Sequence, residues 1–267
     1  MTVSIEPLSP YVGARVVGID LTRPIDSDAA GTLRQALDRY HVLVVRQPDL
    51  TEADQARFGE VFGKIEVRTA KQGAKPKEQF VSNTRKDGIL GDGEIEFHHD
   101  HLFHPQPLTA IALYAIEIPA SGSKTEFRNS SVLLDRARNA FDADFEQIRC
   151  LHLFNYGGDF TAWQDPAKAS PDSPRAWQPL VWTHPHTGQQ VFWLCRTSAV
   201  DFEGIGREDG YRLIGELVEF ANRQTDIVYT HNWQVGDLVI WSNRMVQHRR
   251  LPFNAGEPRT LRRTPIV

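Results

Sequence analysis

Hydrophobic and polar positions change period repeatedly along this chain. Leu33, Ala36, Leu37 and Tyr40 share one face at helical spacing, which predicts a helix from Ser27-Asp28 to about Tyr40. Thr51 and Asp54 make a capping-box pattern that opens a second helix, running to Phe62 and stopped by Gly63. Asn129 or Ser130 caps a third through about Phe141, and a short helix is expected over 142–149. The longest covers 206–224, with Leu213, Ile214, Leu217, Val218, Phe220 and Ala221 turned toward a core.

Elsewhere the pattern is that of strands. β-branched and aromatic runs predict them at Ala14–Val17, 41–46, 79–83, 108–116, 124–128 and 151–155. Segments 179–184 and 190–194 read as a hairpin around His186-Thr187-Gly188, followed by strands at 226–231, 237–241, Val246–Arg250 and 259–266. Two stretches follow neither period. Residues 64–96 are basic and broken by Gly88, Gly91 and Gly93, which suits either a lid or a solvated surface loop. Residues 156–178 form a long polar loop, functional or disordered. The expected fold class is mainly β with flanking helices, a jelly-roll or cupin-like barrel able to hold a ligand in its mouth.

Composition narrows the function classes. The 267 residues are 40% hydrophobic and 24% charged, an ordinary globular balance. A net charge of -4 argues against a nucleic-acid binder. No apolar run reaches membrane-spanning length, so no membrane association is expected. Residues 1–7 carry no signal-peptide pattern, and the two cysteines, Cys150 and Cys195, imply no disulfide framework, so a cytoplasmic location is expected. Homo-oligomer formation is left open.

Chemistry concentrates at Phe97-His98-His99-Asp100-His101-Leu102-Phe103-His104, which holds four of the ten histidines. In an extended strand His98 and Asp100 share one face, and His99 and His101 the other. An imidazole and a carboxylate on one face supply two corners of a two-histidine, one-carboxylate metal site. The spare histidines leave the choice of ligands open, and such a run can equally be a solvated loop. A second constellation lies near the C-terminus, where His248 precedes Arg259 by an H-x10-R spacing and Arg259, Leu261 and Arg263 share a strand face. Two guanidiniums facing a barrel interior would call for anionic ligands; on an edge strand both would simply face water.

Together these pieces resemble the taurine/aryloxyacetate (TauD/TfdA-like) family of Fe(II)/2-oxoglutarate-dependent dioxygenases, whose fold is a double-stranded β-helix. The resemblance runs from Leu8-Ser9-Pro10-Tyr11 through Phe97-His98-His99-Asp100 and Ser123-Lys124-Thr125. It continues in Trp233-Gln234-Val235-Gly236-Asp237 and Trp241-Ser242-Asn243-Arg244, then His248 and Arg259 to Arg263. It implies a single dioxygenase domain over 1–267. His98, Asp100 and His248 would bind Fe(II), and Thr125 and Arg259 would hold the far carboxylate of 2-oxoglutarate. Arg263 would bind the acidic group of a small anionic substrate, with Arg68, Lys71 and Glu94 in the substrate loops. O2 would be the third reactant. The implied reaction releases succinate and carbon dioxide and oxidises a C–H bond of a carboxylate or sulfonate, by hydroxylation or by desaturation or cleavage following it.

The chain departs from the pattern at Phe97, where the family usually has Trp, and at Lys124, where Asp commonly precedes the Thr. Arg68, Lys71 and Glu94 fall near positions that in the taurine enzyme carry histidine, tyrosine and asparagine, which counts against taurine itself. A carboxylate at Asp100 counts against a halogenase, which needs that site for chloride. Two other readings remain: a cupin-like metal lyase or isomerase without 2-oxoglutarate, and a non-catalytic small-molecule-binding barrel. The lyase or isomerase reading predicts no need for Arg259.

Overall fold

The structure is a computed structural model that describes residues 3–66, 79–155, 159–185 and 187–267. The described residues form helices α1 (Ser27–Tyr40), α2 (Glu52–Glu60), α3 (Ser130–Ala140) and α4 (Arg207–Asn222). The first nine strands are β1 (Ser4–Pro7), β2 (Ala14–Val17), β3 (Val42–Arg46), β4 (Gln79–Ser82), β5 (Gly88–Ile89), β6 (Ile95–His98), β7 (Ala110–Glu117), β8 (Lys124–Asn129) and β9 (Arg149–Leu153). The rest are β10 (Arg175–Pro179), β11 (Val181–Thr183), β12 (Gln190–Phe192), β13 (Ala199–Glu203), β14 (Val228–Asn232), β15 (Asp237–Ser242), β16 (Val246–Arg250) and β17 (Thr260–Ile266).

Strand alternation builds the barrel. The eight-stranded sheet runs β1-β2-β3-β15-β7-β17-β4-β5 and faces a four-stranded sheet, β14-β8-β16-β6. Along β15, Leu238 and Ile240 point outward to α1 and α2, while Val239 and Trp241 point between the sheets. β7 repeats this, with Ala112 and Tyr114 outward and Ile111, Leu113 and Ala115 inward. Each strand is therefore buried on both faces, which is why it reads as a continuous apolar run. The inner layer meets Phe127 of β8 and Val246 of β16. This is the expected double-stranded β-helix. A third core gathers α3 and α4 against the small sheet β10-β9-β13.

The caps mostly follow the expected chemistry. Thr51 and Asp54 form the predicted capping box. α1 is capped one residue earlier than expected, by Asp26, and ends on His41 in the left-handed region at φ 63°. α2 ends at Glu60, short of Phe62. Over 142–149 only a 3-10 turn, Phe145–Gln147, forms before β9 begins, because Phe145 is pulled into the core. The 156–178 stretch holds a strand at its end, β10, and β13 joins the same sheet without having been foreseen. Within 64–96 lie β4 and β5. Arg68 and Lys71 lie outside the described residues.

Candidate active site

β6 stops at His98, so the extended reading of the whole histidine run fails beyond that point, yet its facial assignment survives. The pairing places His98 opposite His248, with Phe127 on the other side of His248. Phe97, one position earlier, points out of the barrel. There it meets the Arg128 guanidinium at 3.9 Å and that of Arg249 at 4.6 Å. Two cation–π contacts on one ring fix the pleat, and the pleat sends His98 inward.

His98, Asp100 and His248 converge, with one ligand atom of each lying within 4.8 Å of the others. Nε2 of His98 is 3.1 Å from Asp100 Oδ1, and Nε2 of His248 is 3.8 Å from it. His98 Nδ1 lies 2.8 Å from the Glu96 carbonyl, which makes Nδ1 the protonated nitrogen and leaves the Nε2 lone pair facing the cluster. His248 is clamped by Trp241, ring to ring at 4.7 Å. Burial, then neighbouring His98, pushes the His248 imidazole well below its ordinary value.

Burial alone would raise the Asp100 carboxyl, but the Arg263 guanidinium and the two histidines outweigh it and hold it well below the usual range. Arg263 Nη2 donates to Asp100 Oδ2 at 2.6 Å, leaving Oδ1 turned to the histidines.

The spare histidines are engaged elsewhere. His99 is buried with its ring nitrogens on the Asn243 and Phe192 carbonyls, and burial lowers its pKa to about 4. His101 sits at φ 64° with its ring against Phe103.

The C-terminal constellation is interior. β17 runs between β7 and β4, so the edge-strand reading is excluded, and Arg259 and Arg263 are both buried. Arg259 Nε donates to Ser123 Oγ at 2.8 Å, while its Nη1 is buried and has no partner among the described residues. Burial, then the charge of Arg250, lowers its pKa to about 9. Thr125 is tied to the same corner: the Trp233 indole donates to Thr125 Oγ1 at 2.9 Å, and the Trp233 amide donates to the Ser123 carbonyl.

Because Thr125 Oγ1 accepts from Trp233, its own O–H is available to donate. A cavity of about 810 Å³ opens beside the cluster, walled by His98, Asp100, Arg263, Arg250, Phe103 and Phe154 among others, with exposed Glu94 at its edge.

The sequence matches the family described as taurine catabolism dioxygenase TauD, TfdA family, over residues 4–264. The chain belongs to this family. It is an α-ketoglutarate-dependent dioxygenase, as its named relatives are. It is 30% identical to the α-ketoglutarate-dependent 2,4-dichlorophenoxyacetate dioxygenase of Cupriavidus pinatubonensis, over 100% of this chain and 98% of the relative. It is 24% identical to the α-ketoglutarate-dependent sulfate ester dioxygenase of Pseudomonas putida, over 100% of this chain and 90% of that one. Among solved structures, AAD-2 in complex with Mn(II) and N-oxalylglycine superposes with a TM-score of 0.81 at 28% identity, covering 100% of this chain and 97% of that one.

In this TauD/TfdA-family chain, sequence reasoning missed the residues that hold the ligands in place. Asn243, at the turn after β15, accepts from the Asp100 amide at 2.7 Å and donates to the Asp100 and Leu108 carbonyls at 2.9 and 3.0 Å. Its own carbonyl faces His99. The only sequence signal was an amide side chain in a turn, which usually serves the turn itself. Gln79 of β4, opposite Arg263 in register, receives the other end of that guanidinium. Among the described residues no helix is long and apolar enough to cross a membrane.

Proposed function

We propose that the chain uses Fe(II), held by His98, Asp100 and His248, to couple decarboxylation of 2-oxoglutarate to C–H oxidation of a small anionic substrate. The observation that carries the cosubstrate assignment is the buried Arg259 guanidinium with Nη1 unsatisfied, joined through Ser123 and Trp233 to Thr125. A buried cation of this kind calls for a carboxylate, and Thr125 can add a hydroxyl donor.

The donor set fits the metal. Two imidazole nitrogens and one carboxylate oxygen on a single face, with room beside them, form the arrangement favoured by non-haem Fe(II). When bound, iron and cosubstrate supply the oxygen activation. The protein's part is positioning. Glu96 fixes the tautomer of His98, Asn243 fixes the backbone of Asp100, and Arg263 keeps the Asp100 carboxylate ionised.

For the substrate, we assign the acidic group to Arg263 on the cavity wall, through donors beyond those given to Asp100 and Gln79, and a donor group to Glu94 at the edge; that both residues line the cavity supports this. Arg68 and Lys71 are retained as partners of the acidic group on the family resemblance alone. The named relatives act on a phenoxyacetate and on sulfate ester substrates, which are small anions, and this supports the class. The match over residues 4–264 supports one domain, and the buried free thiols of Cys150 and Cys195 support a reducing, cytoplasmic location.

The test is succinate release from 2-oxoglutarate with Fe(II) across a panel of aryloxy acids, sulfonates, sulfate esters and amino-acid derivatives. At least one small anion should raise succinate above the background rate. Release by none of them, or release without Fe(II), would overturn the proposal.

A further inference from the structure

The cavity that Arg263 lines also has an aromatic wall. Phe103 lies against Phe154 at 4.7 Å between centroids with the planes tilted by 31°, and Phe154 against Phe160 at 6.0 Å and 25°. All three rings line the cavity. Phe160 belongs to no strand, so something must hold it. Its carbonyl accepts from the Glu96 amide at 3.1 Å. The next carbonyl, of Thr161, accepts from Arg196 Nη2 at 3.3 Å. Arg196 in turn pairs with the Glu96 carboxylate through both Nε and Nη2, in a half-buried site. Around them Asp159 caps the Thr161 amide and hydroxyl, and Gln164 donates to the Asp159 carbonyl. Glu96 thus makes three contacts of consequence: its carbonyl orients His98, its amide holds Phe160, and its side chain holds Arg196.

We propose that the Glu96–Arg196 pair is a latch that holds Phe160 in the aromatic wall, so that Arg196 sets affinity for the flat apolar body of the substrate without touching it. The inference rests on the oxygenase reading above and adds to it a positioning residue and the selectivity it controls. The chemistry follows from the contacts. A bidentate guanidinium–carboxylate pair is geometrically strict, and a guanidinium that also binds a loop carbonyl fixes that loop against the strand. Removing Arg196 leaves the Thr161 carbonyl and the Glu96 carboxylate without it, so the segment carrying Phe160 keeps only the Glu96 amide as its tie to β6 and loses the side-chain tie that fixes its position. The strand that carries His98 keeps its own ladder to β16.

The experiment compares wild type, Arg196→Gln and Arg196→Lys, each loaded with Mn(II) and 2-oxoglutarate. Binding of two carboxylate probes, phenoxyacetate and hexanoate, is followed by calorimetry, and amide hydrogen exchange is followed over residues 159–164. Arg196→Gln should weaken phenoxyacetate about tenfold or more, since an aromatic stacking surface is lost. Hexanoate should weaken much less, and the 2-oxoglutarate Kd should stay within about twofold because Arg259 is untouched. Exchange over 159–164 should rise, and Arg196→Lys should restore part of both effects by keeping a charge.

Equal weakening of both probes, unchanged phenoxyacetate affinity, or a wild type that does not prefer phenoxyacetate would each overturn the latch. If wild type fails to bind 2-oxoglutarate with metal present, the underlying oxygenase reading falls with it, and that result is distinct from the other three.

Discussion

Replacing Arg259 with Met separates a cosubstrate-binding arginine from a structural one. Arg259 is 2% exposed, and burial together with Arg250 lowers its pKa from the ordinary guanidinium range to about 9. A tenfold change in proton affinity is about 1.4 kcal/mol, so keeping this charge in place costs the empty protein roughly 5 kcal/mol. The Met variant gives up the hydrogen bond to Ser123, about 1 kcal/mol, and the cation–π contact with Phe253, about 1 kcal/mol. The unliganded variant should therefore be at least as stable as wild type, with a gain of about 1–3 kcal/mol, as when buried charges are replaced by apolar side chains.

Wild type with Mn(II) should gain stability on adding 2-oxoglutarate, about 2.7 kcal/mol when the cosubstrate is 100-fold above its Kd. The variant should gain none at the same concentration. Thermal unfolding with and without 2-oxoglutarate reads both quantities. A Met variant that loses several kcal/mol without ligand, yet keeps the cosubstrate-induced rise in Tm, would show that Arg259 is a structural cation and that the reasoning is wrong.

Other perturbations bear on the metal ligands and the core. Asp100→Ala should abolish turnover while the far-ultraviolet circular dichroism stays native; activity near the wild-type level would refute the ligand assignment. Asn243→Ala removes partners from the Asp100 amide and from two carbonyls, at about 1–3 kcal/mol for each buried group left unsatisfied. It should lower the urea midpoint of the metal-free protein and weaken Mn(II) binding; unchanged values for both would count against it. His41 is buried and burial lowers its pKa to about 4, below the unfolded value of 6.5, so the unfolded chain binds the extra proton first. The stability tied to His41 is complete above pH 6.5 and is lost as pH falls toward 4. Between pH 6.5 and 5 that loss is about 2 kcal/mol. His41→Asn, which tolerates the left-handed backbone, should reduce by about that amount the drop in stability measured by urea unfolding at the two pH values.

The barrel was legible because it rests on local rules. Apolar runs with turn residues between them set the strands, while the residues alone offered only a shared face for His98 and Asp100, and His248 entered as a ligand through the family resemblance. What stayed hidden is what depends on distant partners. β13 reads as a mixed segment, since Asp201 and Glu203 interrupt it, and only its pairing to β9 makes it a strand. The expected helix over 142–149 yields to burial of Phe145. Asn243 and Asp100 are 143 residues apart, and Arg196 and Glu96 are 100 apart, so no window along the chain contains either pair. The choice among His98, His99 and His101 also needed tertiary contacts, since it is the Asn243 and Phe192 carbonyls that take His99 out of contention.

The most direct measurement is the anaerobic visible difference spectrum of the metal-free protein titrated with Fe(II) and then with 2-oxoglutarate. A weak charge-transfer band should grow to saturation at one equivalent of iron in wild type, and it should be lost in Asp100→Ala and shifted to far higher 2-oxoglutarate in Arg259→Met. A wild-type protein that binds iron but shows no band at any 2-oxoglutarate concentration would contradict a site built from His98, Asp100, His248 and Arg259.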